Sequence, residues 1–237
     1  MGCLRSKWPT NCAPETICNA IGPERAAYYG LLTASDPMPH PLPPTTHLLY
    51  LHGFRSSPQS NKARQLAECV ARRHPEVHWW CPQLPPSPRA AIDLVMRGIA
   101  GWPRGSMGVV GSSLGGFYAT YVAAMTRCRA VLLNPAVHPA RDLAQQIGEQ
   151  TAWHDPQQRF HFRDEFIAEL GALEVGELPR PERCMAIIAK GDEVLDWREM
   201  SARYPGSRLK LLEGGDHALS DFERRHLDDT IAFLDLA

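Results

Sequence analysis

The sequence predicts an α/β fold, a mainly parallel sheet of about six strands with helices on both faces. Three observations lead to it. From Thr46 onward, short apolar runs alternate with segments of helical period, and that alternation builds right-handed βαβ units. The apolar runs are continuous rather than alternating, as in strands covered on both faces. Finally, Ser106-Met107-Gly108-Val109-Val110 passes through Gly111-Ser112-Ser113-Leu114-Gly115 into a helical stretch, Gly116 to Met125. A strand that turns straight into a helix in this way is a feature of open α/β sheets.

The elements follow in order. Thr46–Leu51 reads as the first strand. Ser60 is placed to cap a helix in which Ala63, Leu66, Ala67 and Val70 recur on one face. Val77–Cys81 is the second strand and Gln83–Pro86 a loop. Ser87-Pro88 supplies an N-cap and a first-turn proline to a helix burying Ile92, Val95, Met96 and Ile99. Gly108–Gly111 is the third strand, Ala130–Asn134 the fourth, Met185–Ala189 the fifth and Leu209–Leu212 the sixth. A last helix is expected from Ser220, with Phe222, Leu227, Ile231 and Leu234 facing inward.

Two segments break the alternation. Residues 137–180 leave from the carboxyl end of a strand and are expected to form a small helical cap over the site, from patterns such as Asp142–Ile147 and Asp164–Leu170. A solvated excursion without a binding role is the plainer alternative. Residues 1–45 end in Pro37, Pro39, Pro41, Pro43 and Pro44 and show little periodicity. They are expected to be a poorly structured leader, with the folded domain spanning 46–237. Met1-Gly2-Cys3-Leu4-Arg5-Ser6 fits a signal for N-terminal acylation, although coincidence explains so permissive a pattern.

Bulk properties narrow the function. A net charge of −1 offers no electrostatic case for nucleic acid or an anionic membrane. No apolar run approaches the roughly 20 residues that span a bilayer. The seven cysteines have no Cys-x-x-Cys spacing, so neither a disulfide framework nor a zinc site is indicated, and a reduced, cytoplasmic setting fits. His138, His154 and His161 lack metal-ligand spacing. No metal and no cofactor is expected, and nothing fixes the oligomeric state.

The chemistry concentrates at strand ends. Gly111-x-Ser113-x-Gly115 is the pattern of a nucleophile elbow, where glycines let the turn close and the serine hydroxyl projects from the sheet. Asp192 follows the fifth strand, and Glu213-Gly214-Gly215-Asp216 leads from the sixth to His217. The order Ser, Asp, His is that of α/β-hydrolases. Ser113 is therefore expected as nucleophile, His217 as base and Asp192 as the acid that orients it. Ser112 sits one residue off the elbow. Asp196 is the alternative acid but is placed to cap a helix starting at Trp197; Asp216 adjoins His217 too closely. An oxyanion would be met by the backbone N–H groups of Leu114 and Phe54, with Gly53 allowing close approach. His52 is expected to hydrogen-bond loop backbone. Arg55 is a substrate-binding candidate for a carboxylate or a CoA phosphate, or else an exposed arginine near a helix start. Trp79-Trp80 and Phe117-Tyr118 read as packing.

Leu49–Pro58 with Ser60-Asn61-Lys62-Ala63 resembles the YqiA-like small bacterial esterases. So do Gly111–Ala119, Leu133-Asn134-Pro135-Ala136, Gly191–Asp196 and Gly214-Gly215-Asp216-His217. The resemblance spans residues 46 to 237. It implies an α/β-hydrolase fold and activity on small-molecule esters of short to medium acyl chains, with acyl-CoA thioesters as an alternative. A non-catalytic or lipid-anchored binding protein on the same fold is the reading from a different class.

Overall fold

The computed structural model describes residues 42–237. Most of the expected leader, with its Met1-Gly2-Cys3 signal, lies outside them. The strands are β1 (His47–Leu51), β2 (His78–Trp80), β3 (Met107–Ser112), β4 (Arg129–Leu133), β5 (Gly148–Thr151), β6 (Arg159–Phe162), β7 (Cys184–Ala189) and β8 (Arg208–Leu212). Six of them form one sheet in the order β2-β1-β3-β4-β7-β8, and every neighbouring pair is parallel. Gly111 pairs with Leu51 on one side and Leu132 on the other, so these strands end at nearly the same level. The loops that follow them open on one edge.

Both faces of the sheet are covered, and the strand side chains divide between them. Leu49, Leu51, Val109, Ala130, Leu132, Ala186 and Ile188 belong to one apolar cluster; Leu48, Tyr50, Val110, Val131, Leu133, Met185 and Ile187 belong to the other. This is why the runs look uniformly apolar in sequence. Helices α2 (Pro88–Gly98) and α3 (Leu114–Thr126) close the first face through Ile92, Val95, Met96 and Val122. Helix α1 (Asn61–Arg73) closes the second through Leu66 and Val70. All thirteen residues of α3 are buried, so its helical period carries no polar face. Ser87 caps α2 by accepting the Ala90 N–H, with Pro88 at the first helical position. Ser60 stands at the N-cap of α1 but makes no side-chain capping bond.

The excursion after β4 is helical only at its ends. Helix α4 (Pro139–Leu143) opens it and α5 (Glu165–Gly171) closes it. Between them β5 and β6 pair antiparallel, with Gly148 opposite Phe162 and Thr151 opposite Arg159. After β7 comes α6 (Trp197–Arg203), capped by the Asp196 carboxylate on the Arg198 N–H. The expected final helix is two: α7 (Phe222–Arg225) and α8 (Leu227–Leu234). The break falls at His226, whose φ of −131° is not helical and whose imidazole takes a hydrogen bond from Lys210 Nζ. Phe222, Leu227, Ile231 and Leu234 still face the second core. Thr45, just ahead of β1, lies beside the residues after α8, donating its N–H to the Asp235 carbonyl and accepting the Ala237 N–H.

Candidate functional site

The site begins at the turn between β3 and α3. Ser113 has φ 56° and ψ −123°, a left-handed conformation that costs a non-glycine residue about 1–3 kcal/mol. The surroundings hold it there. Its N–H donates to the Leu133 carbonyl, and its own carbonyl accepts from Gly116 and Ala136. The flanking glycines are dictated by contact. A Cβ on Gly111 would strike the Gly115 carbonyl, and one on Gly115 would strike the Leu51 carbonyl. Ser112 is buried, its hydroxyl turned to Tyr50.

The loops after β7 and β8 bring Asp192 and His217 to this corner. His217 Nε2 lies 2.9 Å from Ser113 Oγ, and His217 Nδ1 lies 2.8 Å from Asp192 Oδ2. The Asp192 carboxylate is fully buried, and its other oxygen accepts the N–H groups of Val194 and Leu195, each at 2.8 Å. With Oδ1 engaged by two N–H donors, Oδ2 faces the imidazole as an acceptor, and the matching tautomer carries its proton on Nδ1. Nε2 is then free to accept from the Ser113 hydroxyl. The competing acids are engaged elsewhere: Asp196 caps α6, and Asp216 accepts from the N–H and hydroxyl of Ser220, which hold its carboxyl below the usual range.

Three residues that sequence reasoning gave no role hold the histidine loop. Asn134, at φ 40°, donates through Nδ2 to the carbonyls of Asp216 and His217, at 3.0 and 3.1 Å, and accepts the Ala189 N–H through Oδ1. One side chain thus joins the ends of β4, β7 and the histidine loop. Glu193 accepts the His217 N–H at 3.0 Å. Lys62, from the first turn of α1, donates to the Ala218 carbonyl. Burial pushes its ammonium down to about 8, against the pull of Asp216 and Asp192. Asparagine tolerates the left-handed conformation better than most residues, so its identity at a strand end was the one signal for Asn134; nothing local marked the other two.

The loop after β1 comes within reach of the serine. A Cβ on Gly53 would lie 3.3 Å from Ser113 Cβ. His52 is buried. Its Nε2 accepts the Leu84 N–H at 3.1 Å, so its proton sits on Nδ1, which donates to the Gly53 carbonyl at 3.0 Å. In a trans peptide the carbonyl and the following N–H point in opposite directions. Pinning the Gly53 carbonyl therefore aims the Phe54 N–H the other way. Leu114 opens α3, so its N–H has no intrahelical partner.

Beside this loop lies a cavity of about 570 Å³, within the range of ligand pockets. Gly53, Phe54 and Leu114 form its inner wall, Leu84, Pro86, Leu94 and Tyr118 its apolar lining. The hairpin of β5 and β6 closes it from above. The Phe54 ring packs edge-on against Phe160 and Phe162, with centroids 5.9 and 5.1 Å apart. Arg55 also lines the cavity; its Nε donates to the Thr151 carbonyl at 2.6 Å and its guanidinium lies over the Trp153 ring. Glu169 of α5 completes the frame, accepting from the Ser87 hydroxyl and the Arg89 N–H at the start of α2. Among the described residues no cluster of histidine, cysteine or carboxylate side chains could hold a metal ion, and no helix is long and apolar enough to cross a membrane.

Comparison with known proteins follows from this geometry. Residues 47–235 match the model of the Uncharacterised protein family UPF0227. Among solved structures, the chain resembles mouse alpha/beta hydrolase domain-containing protein 10 at 16% identity and a TM-score of 0.62, covering 84% of this chain and 91% of that one. It also resembles Est1E from Butyrivibrio proteoclasticus at 14% identity and a TM-score of 0.57, covering 83% and 90%. A metagenome-derived lipolytic enzyme of the LipS and LipT study matches at 18% identity and a TM-score of 0.59, covering 81% and 94%. At these identities the solved structures speak for the fold, and the family match extends over most of the chain. The protein has an α/β-hydrolase fold and belongs to the UPF0227 family, the YqiA-like group whose motifs its sequence carries.

Proposed function

We propose that the protein is a serine hydrolase that cleaves small carboxylic esters of short to medium acyl chains through an acyl-enzyme. The observation that carries this reading is the unbroken hydrogen-bond chain from Ser113 Oγ through His217 to buried Asp192. A serine hydroxyl attacks an ester only when a base takes its proton during the attack. In the proposed reaction, Ser113 Oγ bonds to the ester carbonyl carbon as its proton passes to His217 Nε2. The carbonyl oxygen becomes an oxyanion, met by the N–H groups of Leu114 and Phe54. Collapse expels the alkoxide, which takes the proton from Nε2 and leaves the acyl group on Ser113. Water then repeats the sequence, giving up a proton to Nε2 and releasing the carboxylic acid and the free serine. Asp192 holds the imidazole in the required tautomer and stabilises its charged form. Residues 137–180 act in this reading as the cap that shapes the acyl site. The same machinery accepts a thioester, and rates on matched oxygen and sulfur esters separate the two.

The test is covalent. A fluorophosphonate probe should label the wild type and leave Ser113→Ala unlabelled; labelling that persists in the variant, or is absent from both, removes the reading. The second outcome would favour a binding protein on a hydrolase fold. Asp192→Asn should keep the fold and lose about 10³–10⁴-fold in kcat, because the tautomer is no longer enforced.

A further inference from the structure

We propose that the cavity beside the oxyanion loop selects substrates whose apolar stem ends in an anion, with Arg55 and Arg97 as its receptors. The proposal rests on the hydrolytic reading for its chemistry and goes beyond it in naming the substrate class. The cavity lining includes Leu114, the residue after Ser113, and Gly53, which packs against Ser113, so a substrate with its carbonyl at Ser113 can extend into it. Its lining there is apolar, which suits a hydrocarbon stem. Farther out it is cationic. Arg55 and Arg97 both line it, with His154 and Gln158 at the exposed mouth, and no carboxylate does among the described residues.

Arg55 is prepared for this task. Its backbone sits at φ 60°, a conformation unusual away from glycine. Its carbonyl accepts the Trp153 N–H at 2.8 Å, its Nε is spent on Thr151, and its plane rests on Trp153. The guanidinium is thereby fixed, while among the described residues its two terminal amino groups make no ion pair with a carboxylate. A guanidinium held by one nitrogen offers the other two to a planar or tetrahedral oxyanion. Arg97 projects from α2, one turn beyond Leu94, and likewise has no carboxylate partner among the described residues. Arg89 on the same helix is by contrast paired with Glu169. Both arginines that line the cavity thus lack a carboxylate partner among the described residues.

Two kinds of substrate share this chemistry: a half-ester of a dicarboxylic acid, with a carboxylate on the acyl side, and a thioester whose leaving group bears phosphates. The experiment compares kcat/KM for matched pairs. Mono-p-nitrophenyl adipate is set against p-nitrophenyl hexanoate, and hexanoyl-CoA against the hexanoyl thioester of N-acetylcysteamine. The charged member of at least one pair should be preferred about tenfold, the factor that about 1.4 kcal/mol gives, and which pair responds tells which anion is read. In Arg55→Gln and Arg97→Gln the ratio should fall toward one. Ratios of one in the wild type for both pairs, or a preference that survives both substitutions together, overturn the proposal. Binding to Ser113→Ala separates it from the hydrolytic reading. There, by calorimetry, monomethyl adipate should bind more tightly than dimethyl adipate, or hexanoyl-CoA more tightly than the hexanoyl thioester of N-acetylcysteamine, whether or not the wild type turns esters over; equal affinities within both pairs count against the proposal.

Discussion

His52 and Lys62 act on the site without reaching the reacting atoms. His52 uses both ring nitrogens, one to accept from Leu84 and one to hold the Gly53 carbonyl, and burial pushes its imidazolium down. Glutamine cannot reproduce both bonds at that spacing. His52→Gln should therefore lower kcat by about 10- to 100-fold, part of the cost of losing an oxyanion donor, while KM changes little. An unchanged kcat would mean that the Phe54 N–H is aimed by something else. Lys62 places a cation near Asp192 and holds the Ala218 carbonyl of the histidine loop. Lys62→Met should lower kcat by several-fold with little change in KM, because the loop that presents His217 loses one of its ties. An unchanged kcat excludes that role. The meeting of Ser113, Asp192 and His217 could be expected from the chain because each stands in the turn or loop that follows a strand. Glu193 and Lys62 could not, since what matters is which loops meet, and that is a property of the packed sheet.

At the scale of elements, the excursion after β4 departs most from its expectation. Helix α5 falls on the stretch Asp164–Leu170 whose period suggested helix, whereas α4 overlaps the other, Asp142–Ile147, only at Asp142 and Leu143. The hairpin was hidden because β5 and β6 have four residues each, too few for a strong pattern. The signal was nonetheless present: Arg159 and His161 are exposed while Phe160 and Phe162 turn inward, an alternation of period two. The consequence is a rigid frame. Phe54, Phe162 and Phe166 pack in sequence, edge against face, and the Glu169 carboxylate sits at the N-terminus of α2, where helix N–H groups favour an anion. Glu169→Ala should cost about 1–2 kcal/mol of stability, the usual loss of a buried capping interaction, measured by urea unfolding. A variant as stable as the wild type would mean that the aromatic contacts alone hold the excursion down.

The whole molecule was the most legible level. Six strands and their sequence order follow from runs of β-branched and aliphatic residues, and the parallel arrangement follows from the helices between them. Strand boundaries shifted by a residue or so, and nothing local in the sequence marks the break at His226, where the imidazole meets Lys210 of β8. The same contact bears on stability. Lys210 Nζ donates to His226 Nδ1, which requires that nitrogen to be unprotonated. Burial, with Lys210 adding to it, pushes the His226 imidazolium down. Burial does the same for His52 and, aided by neighbouring His78, for His47. A histidine whose charged form is disfavoured in the fold binds fewer protons there than in the unfolded chain. Its stabilising share is thus complete above the ordinary histidine value of about 6.5 and is lost as the pH falls below it. Asp216 and Asp229, held down by Ser220 and Lys210, lose their contributions only at lower pH, near the ordinary carboxylate range of about 4. The interval from pH 7.5 to 5.5 therefore isolates the histidines. Tm should fall across it, by about 2–4 °C for each kcal/mol of stability lost, and His226→Asn should flatten part of that slope. A Tm that is level over this interval, or a slope the variant leaves untouched, would mean that these imidazoles are charged in the fold as readily as in water.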